Sequence, residues 1–178
     1  MQLKGNRTRY GSLAAGLHWI SAILIVVTLA LGLRAASIDD PAAKLGILRA
    51  HVILADIVLV LTVIRLLWWA LDIRPAPVSG IPRLQVLGSK AVHIAIYGAI
   101  VILGASGIAM IILSDIGPAL FGAAPADPTL NFWEYPPRGA HRVAALGLFG
   151  LLVLHVGAAL HHHFVRRDGL IGRMRLFG

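Results

Sequence analysis

Hydrophobic residues in this chain run continuously rather than alternate. Tyr10–Leu33, Ala91–Ser114 and Val143–Val165 contain no Asp, Glu, Lys or Arg, and Ala50–Leu71 contains only Asp56 and Arg65. A helix needs about 20 apolar residues to cross the hydrocarbon core. The pattern therefore predicts an all-α integral membrane protein, a four-transmembrane-helix bundle with helices at about residues 12–33, 46–71, 88–113 and 138–165. One domain fills residues 1–178, with no repeat or low-complexity segment. Ser12 is placed to cap the first helix. Trp68 and Trp69, beside the basic end of the second, suit a membrane–water boundary. The linker "RPAPVSGIPRLQ" holds three prolines and is expected to be extended. The longest connection is "SDIGPALFGAAPADPTLNFWEYPPRG".

Composition agrees with the pattern: charged residues are 13% of the chain, against roughly 25% in soluble proteins. An even number of spans puts both termini on one side. That side then carries Lys4, Arg7, Arg9, Arg65, Arg74, Arg83, Lys90, Arg166, Arg167, Arg173 and Arg175; the other carries Arg34, Lys44, Arg49, Arg138 and Arg142. Eleven against five predicts cytoplasmic termini. The net charge of +8 is thus a topology signal and not a nucleic-acid surface, since no groove-binding motif accompanies it. The first apolar run is too long for a cleaved signal and contains His18, so a retained helix is expected. With 0 Cys, disulfides, thiolate haem ligation, cysteine-held clusters and covalent c-type haem are excluded.

The chemistry lies in eight histidines, at positions 18, 51, 93, 141, 155, 161, 162 and 163. His141 and His155 are fourteen residues apart on the fourth helix, which leaves them about 40° apart in azimuth and about 21 Å apart along the axis. His162 follows seven residues later, near the same stripe. His18 and His155 fall at similar depth towards the cytoplasm, and His51 and His141 towards the exterior. His93, on the third helix, competes with His18 as the cytoplasmic-side partner of His155. Two imidazoles from facing helices can take both axial positions of a haem iron within a bundle. Two such haems would form an electron conduit across the bilayer.

The stretches "RYGSLAAGLHW", "AHV", "VIRLLWW", "VHIAIYG" and "AHRVAALGLFGLLVLHVGAALHHHF" resemble the bacterial cytochrome b561 family over nearly the whole chain. That family is related to the diheme subunits that anchor nickel–iron hydrogenases and formate dehydrogenases. The resemblance implies two haem b groups, the inner held by His18 and His155 and the outer by His51 and His141. It makes His93 a haem-edge or quinone-side residue. It also implies an inner-membrane oxidoreductase that takes electrons from superoxide or another periplasmic redox partner to ubiquinone.

Other side chains have expected roles around these ligands. Arg65, fourteen residues after His51, shares its face and can pair with inner propionates. Arg49, Arg138 and Arg142 flank the outer ligands and can hold outer propionates, or anchor at the interface. His162 is a proton-relay candidate for quinone. Asp56 sits well inside the second helix, where a carboxyl needs its proton, a partner or a polar cavity. Partners expected are lipid, quinone, a periplasmic donor and, as an open option, a second copy in a homodimer. Two other functions fit in part: an anchor subunit carrying electrons from a periplasmic dehydrogenase, and a histidine-lined metal transporter.

Overall fold

The computed structural model describes residues 2–76, 80–125, 127 and 129–175. Its elements, in order, are α1 (Ser12–Ala36), α2 (Pro41–Leu71), α3 (Arg83–Ser114), a short α4 (Gly117–Leu120), a 3₁₀ turn (Phe132–Glu134), α5 (Pro137–His161), a π turn (His162–Arg166) and a 3₁₀ turn (Ile171–Met174). The described residues are all helical or irregular, without strand. Four segments are long and apolar enough to cross a membrane: α1, α2, α3 and α5 with its π turn. At most 17% of the residues in any of their apolar windows are buried. Their outer faces carry Ile, Leu, Val and Phe, so lipid is the solvent that fits them. The protein is a multi-pass membrane protein.

Two helices start earlier than the hydrophobic run alone suggests. α2 begins at Pro41 because Asp40 caps it, its Oδ2 accepting from the Ala43 amide at 2.7 Å. Pro41 takes the first helical position, where a missing N–H costs nothing. α3 begins at Arg83, where the Pro82 carbonyl accepts from the amides of Gln85 and Val86. The linker expected to be extended includes Pro77, Val78 and Ser79, which lie outside the described residues.

The chain forms two compact units, and each of the four long helices contributes one end to each. The first comprises Met1–Ala22, Val60–Tyr97 and Gly150–Gly178. Its polar end is tied by backbone groups: Tyr10 N–H donates to Arg173 O at 3.1 Å and Ala76 N–H to Arg7 O at 2.9 Å. Asp72 accepts from the Gly5 amide at 2.9 Å and from Trp68 Nε1 at 3.2 Å. Gly5 is obligatory there, since a Cβ would strike the Ile73 carbonyl. Trp68 is thus held by a hydrogen bond at the helix end, and Trp69 is exposed with Arg74 stacked at 4.3 Å.

The second unit comprises Ile23–Leu59 and Gly98–Phe149. α2 and α3 approach closely where Leu59 fills the space over Gly104; a Cβ there would sit 2.7 Å from its methyl carbons. Small residues serve this purpose in membrane helices, where close packing replaces the hydrophobic drive. The connection after α3 is ordered around Ile116, Ala119 and Leu120, packed by Leu45, Leu48, Val52, Ile111, Leu130 and Phe132. Arg49 donates from Nε to Leu120 O and from Nη2 to Ala119 O. It therefore caps α4, whose last carbonyls have no helical partner.

Two histidine clusters as the candidate functional site

In the second unit, α2 and α5 bring His51 and His141 together with ring centroids 6.2 Å apart. Each ring is fixed from behind. His51 Nδ1 lies 2.9 Å from Thr28 O on α1. A carbonyl only accepts, so Nδ1 carries the proton and the Nε2 lone pair is free. Gly32, one turn further along α1, makes room for the ring, since a Cβ would come within 3.0 Å of Cε1. His141 Nδ1 lies 3.0 Å from Ser106 Oγ. That hydroxyl has one proton, and Ile102 O takes it at 2.6 Å. Ser106 must therefore accept from His141, which again frees Nε2. Thr28 Oγ1 is buried beside this pair and, among the described residues, has no hydrogen-bond partner.

In the first unit, His18 from α1 and His155 from α5 also stand 6.2 Å apart, centroid to centroid. His93 from α3 approaches His155 at 5.0 Å. Its Nδ1 donates to Ser89 O, one turn back, at 2.7 Å, so its Nε2 is free. Arg65 from α2 places Nη2 3.2 Å from His18 Nδ1 and its guanidinium carbon 5.7 Å from the Tyr97 ring centroid. A guanidinium only donates, so His18 Nδ1 accepts, and the neutral ring carries its proton on Nε2. For a metal to take His18 through Nε2, Arg65 has to release Nδ1 and the tautomer has to change.

A metal–imidazole bond is about 2 Å long, so two rings on opposite sides of one ion have centroids about 6 Å apart. Both pairs meet this spacing. Among the described residues no group of three or more His, Cys, Asp or Glu converges to hold a bare metal ion. Two opposed imidazoles suit an iron whose other ligands come from a macrocycle. The second unit fits that group as it stands, and the first fits it once Arg65 turns aside.

The remaining candidates divide. Arg49 is occupied by the α4 carbonyls. Arg138 and Arg142 both stack on Trp133, at 5.0 and 5.4 Å from its centroid. His162 is buried, whereas His161 and His163 are exposed. His162 Nδ1 meets Asp168 Oδ2 at 2.5 Å, and its Nε2 meets the Gln85 amide nitrogen at 3.2 Å. Arg166 donates to Gln85 Oε1 at 3.1 Å, which fixes the amide so that its NH₂ faces the ring. His162 Nε2 must accept, so Nδ1 donates to the carboxylate. The hydrogen bond from His162, helped by the Leu170 amide and the Arg166 charge, holds the Asp168 carboxyl below its ordinary range. Sequence reasoning missed Gln85 and Asp168. Their signal was faint: a glutamine just inside the third helix and an acid just past the fourth. Asp56 is exposed on α2 and belongs to neither cluster.

A family model of the prokaryotic cytochrome b561 matches residues 9–175. "Cytochrome b561 homolog 2" of Escherichia coli (strain K12) is 29% identical over 194 residues, covering 98% of this chain and 95% of the relative. No solved structure gives a significant match. With four apolar spans, paired imidazoles and a match over nearly its full length, the chain belongs to the prokaryotic cytochrome b561 family, membrane b-type cytochromes of electron transfer.

Proposed function

We propose that this protein is a diheme b-type cytochrome of the bacterial inner membrane, moving electrons between a periplasmic donor and the quinone pool. The support is a single observation made twice: facing imidazoles 6.2 Å apart, centroid to centroid, in each unit. His51 and His141 hold one haem, and His18 and His155 the other. Bound haem would supply one-electron redox chemistry. Thr28 O and Ser106 Oγ orient the first pair of rings and keep each Nε2 unprotonated. Arg65, once released from His18 Nδ1, would be free to hold a propionate carboxylate. Arg138 and Arg142 provide a positive field that draws an anionic donor such as superoxide. His93 and His162 lie on the quinone side, where Asp168 accepts the proton that His162 holds at Nδ1. Arg49 stays with the connection it caps. The lysine and arginine bias puts both termini in the cytoplasm.

Purification in detergent, with haem and protein quantified together, tests this. Two haems per chain and a b-type α band are expected; one haem per chain overturns the double pairing. Reduction of a ubiquinone analogue by superoxide in proteoliposomes tests the donor. No reduction, with both haems present, leaves a different periplasmic partner as the electron source.

A further inference from the structure

Asp56 stands fifteen residues after Pro41 and fifteen before Leu71, at the centre of α2. The apolar run Ala50–Leu71 begins six residues, about 9 Å, before Asp56 and ends fifteen residues, about 22 Å, after it, which sets the residue inside the hydrocarbon core. Its side chain is exposed, and it forms no hydrogen bond or ion pair with any described residue. Aspartate is too short to reach an interface by extending along the helix, as lysine and arginine do. An ionisable group on a lipid-facing surface at this depth is costly unless a partner satisfies it.

The neighbours of Asp56 indicate the partner. Along α2, Ile53, Val60, Val63 and Leu67 are 47%, 59%, 56% and 61% exposed. With Asp56 they recur at alternating steps of three and four residues, the spacing of a helix–helix seam. A single polar residue within an apolar seam sets register and copy number in such pairs. A carboxyl that keeps its proton is both donor and acceptor. Two identical carboxyls related by a two-fold axis therefore satisfy each other at equal depth, whatever that depth is. A different protein would need a matching polar group at the same level, whereas a second copy brings one by symmetry. We infer that the Ile53–Asp56–Val60 face of α2 is a homodimer interface within the membrane, locked by reciprocal Asp56–Asp56 hydrogen bonds.

The chain has 0 Cys, so single cysteines report proximity without background. Ile53→Cys and Val60→Cys are oxidised in isolated membranes as the full-length protein, with Ile94→Cys, at a 71% exposed site on α3, as control. Disulfide-linked dimers several-fold above the control are expected at both positions. Adding Asp56→Leu should lower the cross-linked fraction about threefold, the scale of one hydrogen bond between membrane helices. Asp56→Asn, which still donates and accepts, should preserve it. Cross-linking at 53 and 60 no greater than at 94 overturns the proposal. So does cross-linking unchanged by Asp56→Leu, or a product whose mass is not twice that of the chain.

Discussion

The two histidine clusters share a spacing but not a preparation. In the second unit, both imidazoles are backed by acceptors on neighbouring helices, Thr28 O and Ser106 Oγ, and both present a bare Nε2. In the first, the ring so prepared is His93, backed by Ser89 O, while His18 is held by a cation at Nδ1. Equal centroid distances therefore conceal opposite proton placements. Distance alone selects His18 and His155 as the pair in the first unit. Hydrogen-bond direction shows that this pair must exchange a partner before it can ligate through His18 Nε2.

The largest expected effect breaks the comparison outright. Replacing His51 or His141 by Leu should remove one haem of two, because half an axial pair is lost; pyridine haemochrome content against protein measures it. In the first unit His18→Leu should do the same while His93→Leu keeps both haems. The reverse result would make His93 the ligand and hydrogen-bond direction the better guide. Next, Ser106→Ala removes the acceptor behind His141, and losses of such partners weaken metal affinity about 10- to 100-fold. Haem titration should show that loss in one site only. Ser89→Ala should leave affinity unchanged, since His93 uses the backbone carbonyl there.

Arg65→Leu sharpens the comparison from the other side. Both haems should stay bound, and the potential of one should fall by roughly 60 mV, a tenfold change for a one-electron couple, because a nearby cation favours the reduced form. Redox titration reads this directly, and no shift in either potential would remove Arg65 from the site. The smallest effect lies outside both clusters. The Asp168 carboxyl is held low chiefly by the His162 hydrogen bond. The stability it contributes is therefore complete above the ordinary carboxylate value of about 3.9 and is lost as pH falls through its lower folded value. Asp168→Asn should lower the melting temperature modestly at pH 7, where that contribution is complete, and converge on the parent protein as pH falls below about 4, which flattens the acid limb.

The four spans, and which histidines stand close together, were legible because both depend on patterns that survive without side-chain detail: run length and helical rise. Helix starts were legible only in part. Asp40–Pro41 is a cap-and-proline signal that the hydrophobic run, read alone, passes over. The partners of the rings were not legible, for a physical reason. Thr28 O and Ser89 O are main-chain groups, identical at every residue, and only packing decides which carbonyl meets an imidazole. Arg49 shows the same limit, since its guanidinium serves the carbonyls of Ala119 and Leu120 and nothing in the side chains nearby announces this. Asp56 could be placed inside an apolar run from the sequence, but which way it faced required the fold.

The π turn at His162–Arg166 lies after the last of the paired histidines. A π turn holds one residue more than an α turn for the same advance of the backbone bonding. The same extra residue between His141 and His155 would rotate one ring about 100° from the other and scatter the histidine stripe. A one-residue change in length is therefore expected to misalign these two histidines when it falls between them and to leave them aligned when it falls after His161. Insertions and deletions of one residue should be found, or be engineered without loss of pigment, only beyond His161.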